Sequence, residues 1–343
     1  MNGTDKEYTS PTGQTDTGRR EFLAASLTLA MAAGIPIEAA SQEQQAPPVA
    51  PLDSLFPGFQ QQRIETSGAI INLVAGGSGP PLLLAHGFPQ CLVMWHKVAP
   101  ALAEDFTVIV PDLRGYGDSS KPATDGNHGP YSKRSMAQDL VEVMQQLGYQ
   151  RFSVCAHDRG ARVAHRMALD HADRIMRLML IDILPTLKLF RETDAEFAMT
   201  YWHWFFLSQP APLPETLLGS SPDFFMGLLQ RYAAPGTFTP EAIAYYRRTI
   251  ADRATLHAAC EDYRAAATVD LRHDEADLDH RIECPLHILW GSKNPAYRRH
   301  DVIAVWQERA RQKVTGRPME SGHFVPEELP GETIGEVRAF FKV

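Results

Sequence analysis

The chain has 343 residues, 44% hydrophobic and 22% charged, with 33 basic against 41 acidic side chains and a net charge of −8. Those proportions belong to a globular protein with a sizeable core and exclude a disordered or membrane-embedded chain. The acidic balance argues against nucleic acid as a partner, because phosphate binding needs a basic face, so an anionic ligand requires a local positive pocket.

Arg19-Arg20-Glu21-Phe22-Leu23 opens an Ala-rich apolar run from Phe22 to Ile37, and Ala39-Ala40-Ser41 then supplies the small residues of a cleavage site. Residues 1–41 thus resemble a twin-arginine signal peptide, which predicts export to the periplasm, or a cytoplasmic enzyme if the signal is cryptic. The run falls short of the ~20 apolar residues that span a bilayer, so no stable membrane anchor is expected. Residues 42–53, including Gln42-Glu43-Gln44-Gln45-Ala46-Pro47-Pro48, read as a polar, Pro-rich linker. Cys91, Cys155, Cys260 and Cys284 have neither CxxC spacing nor His partners at zinc-site distances, so they are expected to be free, and no metal or cofactor is implied.

Beyond the linker, short apolar runs alternate with amphipathic stretches, the pattern of a mostly parallel sheet covered by helices. Two hairpin strands are predicted near Gln61–Glu65 and Ala69–Val74. Further strands follow near Pro81–Ala85, Thr107–Pro111, Phe152–Ala156, Leu178–Ile181, Pro285–Trp290 and Lys313–Met319. The three-and-four spacing of apolar residues predicts helices over Ser132–Leu147, Arg159–Asp170 and Val302–Ala310. Residues 185–280 break the rhythm: they are dense in aromatics and carry Pro210, Pro212 and Pro214, and they read as a helical cap between two core segments, 54–184 and 281–343. Such a cap lies over the C-terminal edge of the strands, where open α/β sheets place ligands; a helical insertion that only extends the core is the alternative.

The sharpest motif is Ala156-His157-Asp158-Arg159-Gly160, between a strand and a helix. Small residues two before and two after Asp158 suit a strained strand-to-helix elbow, where bulky side chains collide. Serine at that position needs a base to become nucleophilic, whereas a carboxylate with a pKa near ~3.9 is already ionised and can attack saturated carbon directly. Glu320-Ser321-Gly322-His323-Phe324 follows the last strand and supplies His323 as the base that activates water against an aspartyl ester. Asp182, ending a strand, is the acid chosen to orient His323; the other position, Asn294, cannot supply charge, and Asp112 is expected to brace a turn. His86-Gly87-Phe88-Pro89 places the backbone N–H of Phe88, with that of Arg159, as an oxyanion hole, and Leu113–Ser119 is given a structural role. Arg159 and Arg162 share one face of a helix first turn, where the macrodipole disfavours cations by ~0.3–1 kcal/mol each, so an anion should offset them. A substrate carboxylate fits; bridging to cap or sheet acids is the other reading of the pair. His96, His171, His257 and His287 are taken as structural.

With these motifs in place, the chain from about Ser54 onward resembles the haloacetate (fluoroacetate) dehalogenases of the α/β-hydrolase superfamily. The likeness extends to Asp182-Ile183-Leu184-Pro185-Thr186, His203-Trp204 with Gln209-Pro210-Ala211-Pro212-Leu213-Pro214, and Cys260-Glu261-Asp262-Tyr263-Arg264. The resemblance implies an eight-stranded, mostly parallel sheet with a helical cap after the sixth strand. It implies Asp158 as nucleophile, His323 as base, Asp182 as acid, and Arg159 and Arg162 as the carboxylate clamp. His203, Trp204 and Tyr263 would form the halide pocket, with a small haloacid and water as the reactants and a homodimer as the assembly. An epoxide hydrolase shares the Asp elbow and the His, and Tyr201, Tyr245, Tyr246 and Tyr263 keep it open, although a neutral epoxide gives no reason for two cations beside the nucleophile. A catalytically silent binding protein of this fold would be favoured by a broken triad, and here all three positions are filled.

Overall fold

The computed structural model describes residues 49–342. The export signal expected at 1–41 lies outside them, as does the expected linker up to residue 48; its remaining end leads into a one-turn helix at Leu52–Leu55. Among the described residues, no helix is long and apolar enough to cross a membrane.

Eight strands form one sheet: β1 (Gln60–Glu65), β2 (Ile70–Gly76), β3 (Pro81–Ala85), β4 (Thr107–Pro111), β5 (Phe152–His157), β6 (Ile175–Ile181), β7 (Leu286–Gly291) and β8 (Thr315–Met319). Their order is β1-β2-β4-β3-β5-β6-β7-β8, with β2 antiparallel to β1 and β4 and the other neighbours parallel. All six residues of β5 are buried, because helices cover both faces of the parallel centre and an unbroken apolar strand suits such a site. The edge strand β1 is instead built from Gln60-Gln61-Gln62-Arg63, whose polar side chains make a poor template for further pairing.

The predicted strands and helices all occur, with shifts at their ends. Strand β6 starts three residues before the predicted Leu178, because Arg177 interrupts the apolar pattern without interrupting the strand: its guanidinium lies over the Phe340 ring and donates to the Phe340 carbonyl. The helix predicted to reach Ala310 stops at Gln307, since Ala310 pairs with Ile282 in an isolated parallel bridge.

Two long helices flank the centre, α1 (Lys133–Gln146) and α2 (Asp158–Asp170). Between β6 and β7 run eight helices and no strand: α3 (Thr186–Arg191), α4 (Ala195–Thr200), α5 (Trp202–Leu207), α6 (Leu213–Gly219), α7 (Pro222–Arg231), α8 (Pro240–Ala251), α9 (Arg253–Ala267) and α10 (Val269–Ala276). The aromatics that marked this region pack on one another, as where Phe197 stacks on Tyr201 at 4.8 Å and Trp204 meets the edge of both rings. Parallel pairing puts the C-terminal ends of β3, β5, β6, β7 and β8 on one edge of the sheet, where Phe88, Asp158, Asp182, Asn294 and His323 follow.

The turn from β5 into α2 is where the chain is most constrained. Asp158 has a φ of +46°, which a non-glycine residue adopts only under local compulsion. Gly160 donates its N–H to the His86 carbonyl at 2.9 Å, and a Cβ on Gly160 would lie 2.4 Å from that oxygen. Gly87 faces the same junction from the other side, where an added Cβ would lie 2.6 Å from the Asp158 Cβ. A Gly160→Ala substitution is therefore expected to cost about 1–3 kcal/mol through overpacking. The urea midpoint measures it, and a midpoint equal to the parent's would mean that the His86 loop yields freely.

Candidate active site

Asp158 is 7% exposed at the elbow. Its Oδ1 accepts the Phe88 N–H at 2.9 Å, while Oδ2 lies 3.9 Å from His323 Nε2. That second distance is too long for a hydrogen bond, so His323 leaves Oδ2 without one from its ring. Burial by itself raises the pKa of Asp158, but His323, His157, Arg159 and Arg162 outweigh it and hold the carboxyl at about 2. The group is ionised throughout the neutral range.

His323 and Asp182 meet through Nδ1 and Oδ2 at 2.5 Å, so the imidazole is oriented with Nε2 toward Asp158. For His323, burial lowers the pKa, yet the hydrogen bond and charge of Asp182, followed by Asp158, leave it raised. Asp182 itself has a φ of +58° and is 3% exposed, its Oδ1 accepting the Gly291 N–H at 2.8 Å. The structure thus brings the three predicted residues Asp158, His323 and Asp182 into one line of contacts. Asp112 proves to brace the turn as expected, accepting from Leu92 N, Asp118 N and Asn72 Nδ2.

The elbow and cap together line a small pocket of about 50 Å³, with Asp158, His323, Phe88, His203, Trp204 and Tyr263 among its walls. His203 Nδ1 is buried with no partner, and burial holds the ring's pKa down to about 4, so it is neutral near pH 7. The Tyr263 ring lies under the Arg159 guanidinium at 4.2 Å, and the Trp204 ring lies under that of Arg162 at 4.5 Å.

The geometry realises one reading of the arginine pair, the bridge to a cap acid, at Arg159, and neither arginine is among the residues that line the pocket. Arg159 is fully buried and is gripped by the cap acid Asp262, through Nε at 2.8 Å and Nη2 at 2.6 Å; its Nη1 is buried without a partner. Arg162 donates Nη1 to the Leu184 carbonyl and the Thr186 hydroxyl, while its Nε is left unpaired. In the sequence Asp262 is one residue of the motif Cys260–Arg264, with nothing local to mark it. It also receives the Tyr116 hydroxyl at 2.6 Å and pairs with Lys133, which in turn reaches Asp270. Only folding brings this charge cluster together, so no local spacing announces it. Asn294, passed over for want of charge, donates Nδ2 to Asp182 Oδ2 at 2.8 Å. His157, at the elbow, pairs its Nε2 with the His323 carbonyl at 2.8 Å.

The four cysteines are free and buried. Among the described residues, no group of three or more His, Cys, Asp or Glu could hold a metal ion. Replacing Asp262 by Asn leaves Arg159 and Lys133 short of a counter-charge in a dry setting. A loss of about 3–5 kcal/mol is expected in chemical denaturation; a loss below ~1 kcal/mol would mean that Asp270 suffices for both cations.

The comparisons with known proteins agree with this geometry. A family model described as alpha/beta hydrolase fold matches residues 80–330. A fluoroacetate dehalogenase from Burkholderia sp. is 44% identical over 83% of this chain and 95% of its own length. A soluble epoxide hydrolase from Corynebacterium sp. (strain C12) is 35% identical over 80% of this chain and 94% of its own. A solved structure from Nostoc sp. PCC 7120, described as an alpha/beta hydrolase, superposes with a TM-score of 0.82 at 54% identity, covering 83% of this chain and 99% of that one. The chain belongs to the α/β-hydrolase family and, within it, to the haloacetate dehalogenases.

Proposed function

We propose that the protein hydrolyses a haloacetate, fluoroacetate or chloroacetate, to glycolate and halide through a covalent aspartyl ester. The observation that carries this reading is a carboxylate, rather than a hydroxyl, at the elbow, with one oxygen held by the Phe88 N–H and the other left clear of His323. In this reading Asp158 Oδ2 attacks the α-carbon; the new carbon–oxygen bond forms as the carbon–halogen bond breaks, and the halide leaves with the electron pair. His203, the Trp204 indole N–H and the Tyr263 hydroxyl are the donors that meet the developing charge. The unpaired Nη1 of Arg159, with Arg162, binds the substrate carboxylate.

Water then adds to the Cγ of Asp158, giving its proton to His323 Nε2. The oxyanion forms on Oδ1, already 2.9 Å from the Phe88 N–H, and the N–H of Arg159 is the second donor of the hole. Collapse expels glycolate, which recovers the proton from His323; the water's oxygen remains in the Asp158 carboxyl, which loses the second proton to solvent and returns to the carboxylate. No metal or cofactor enters either step. The pocket, about 50 Å³, suits a substrate of few heavy atoms.

The epoxide reading has less support in the cap. Tyr245 and Tyr246 spend their hydroxyls on the Ala50 carbonyl and on Glu327, and Tyr201 donates to Asn294, which leaves Tyr263 of the four candidates. The export signal at 1–41 adds a periplasmic location to the proposal, and the homodimer stays part of it on resemblance alone.

Asp158→Asn is expected to abolish halide release from fluoroacetate and chloroacetate, because an amide is a poor nucleophile. His323→Asn should accumulate the ester, seen as one added carboxymethyl group in the intact mass. If both variants release halide at the parent's rate, the covalent route is wrong. Arg159→Leu should lose most of its kcat/KM for haloacetates, and a parallel assay with a neutral epoxide separates the two enzyme readings.

The pH dependence follows from His323. Only the neutral imidazole accepts the water's proton; burial lowers its pKa and the hydrogen bond and charge of Asp182 raise it, while Asp158 carries no charge once esterified, so ester hydrolysis should fall as the pH is lowered through the ring's pKa, roughly tenfold per unit below the inflection. Asp158, held at about 2, contributes no limb in that range. Single-turnover decay of the ester against pH measures this; a flat profile down to pH 5 would remove His323 from the step.

A further inference from the structure

We propose that Asn294, oriented from the cap by Tyr201, is a positioning residue that shares the Asp182 oxygen with His323 and thereby restrains the proton affinity of the base. The inference rests on His323 acting as the base in the reaction proposed above, and it adds an amide on the wall of that pocket which acts through Asp182.

Asn294 is 6% exposed and follows β7, where its side chain caps the turn Pro295–Tyr297. Its Oδ1 accepts the Ala296 N–H at 3.1 Å, and a backbone N–H can only donate, so the orientation of the amide is decided. The Nδ2 group therefore faces Asp182 Oδ2 at 2.8 Å as a donor. The same Oδ2 accepts from His323 Nδ1 at 2.5 Å, while Oδ1 accepts from Gly291. One carboxylate thus has three donors, and two of them compete for one oxygen.

Donors to a carboxylate spread and stabilise its charge. With Asn294 present, Oδ2 offers less to an imidazolium than a carboxylate facing His323 alone, so the proton on Nε2 is held less tightly. His323 is then oriented by a full negative charge without being locked in the protonated form, which could not serve as a base.

Tyr201 connects this arrangement to the cap. Its hydroxyl donates to Asn294 Oδ1 at 3.1 Å, its ring stacks on Phe197 within 9° of parallel, and it lines the same pocket as Asp158. Donation to Oδ1 polarises the amide and strengthens the Nδ2 donor. The other groups facing His323 are Asp158, Glu328, His157 and His203, and those facing Asp182 are Tyr297 and His157. None of them donates a hydrogen bond to Asp182 Oδ2, so the exchange of donors at that oxygen falls to Asn294 and His323.

The test is the pKa of the His323 ring, followed by NMR titration of imidazole nitrogens in the whole protein, beside the pH profile of ester decay. Asn294→Ala removes the donor and should raise the ring pKa by about one unit, the scale of a lost hydrogen bond to a charged group. Asn294→Asp should raise it further by adding a negative neighbour, and Tyr201→Phe should move it the same way by less while keeping the stacked ring. The acid limb of ester decay should shift with the ring. An unchanged ring pKa in whichever Asn294 variant folds overturns the proposal; if neither folds, an unchanged value in Tyr201→Phe overturns it. The titration is independent of turnover: shifted rings in a protein that releases no halide would sink the dehalogenase reading and leave the linkage standing. A melting curve like the parent's with no shift would reduce Asn294 to a turn cap.

Discussion

A carboxylate that stays charged while almost wholly buried at the end of a strand is the constraint around which this molecule is arranged. Taking Asp158 out of water opposes its ionisation, and the neighbouring imidazoles and guanidinium groups reverse that cost. The reversal works only because those groups are themselves spoken for. Asp182 takes His323, Asp262 takes Arg159, and the Leu184 carbonyl with Thr186 takes Arg162, so none of them donates a hydrogen bond to Asp158, and His323 approaches it only to 3.9 Å. The carboxylate feels their charge without being captured by it.

The same arithmetic governs the cap. An apolar lid alone would exclude water but would leave Arg159 and Lys133 buried beneath it without compensation. Helix α9 supplies Asp262 for both, and the Tyr116 hydroxyl completes its contacts from the core. The lid is therefore tied to the core at the residues that flank the elbow, and its seating and the charge balance of the pocket are one property. Asp262 engages two guanidinium nitrogens of Arg159 and leaves Nη1 without a partner, so the buried cation is only partly compensated.

Two of the strained backbone positions fall at the candidate site. Asp158 and Asp182, with His128, are the non-glycine residues of positive φ among the described residues, and the two aspartates end adjacent strands β5 and β6. Each is thrust out of its strand at a sharp angle, which turns the side chain toward the shared edge instead of a sheet face. Gly87 and Gly160 make room for that turn, since neither could carry a Cβ without meeting the elbow.

Much of this was legible in the chain itself. Apolar runs and their spacing located the strands, and the five residues around Asp158, with His323 after the last strand and Asp182 after the sixth, were readable as a triad because each is a local motif at a strand end. What only the tertiary structure decided is who pairs with whom. Asp262 lies 103 residues from Arg159, and Asn294 lies 112 from Asp182, and neither separation leaves a trace in local patterning. Asn294 was discounted because an amide carries no charge, yet its value lies in donating to a charge held elsewhere. Arg159 was legible as a cation near the nucleophile, but not as one already half neutralised. Local sequence specifies elements and the strained turns between them through short-range sterics; the charge state and free valences of a buried site are set by groups that meet only after the sheet and cap have closed on each other.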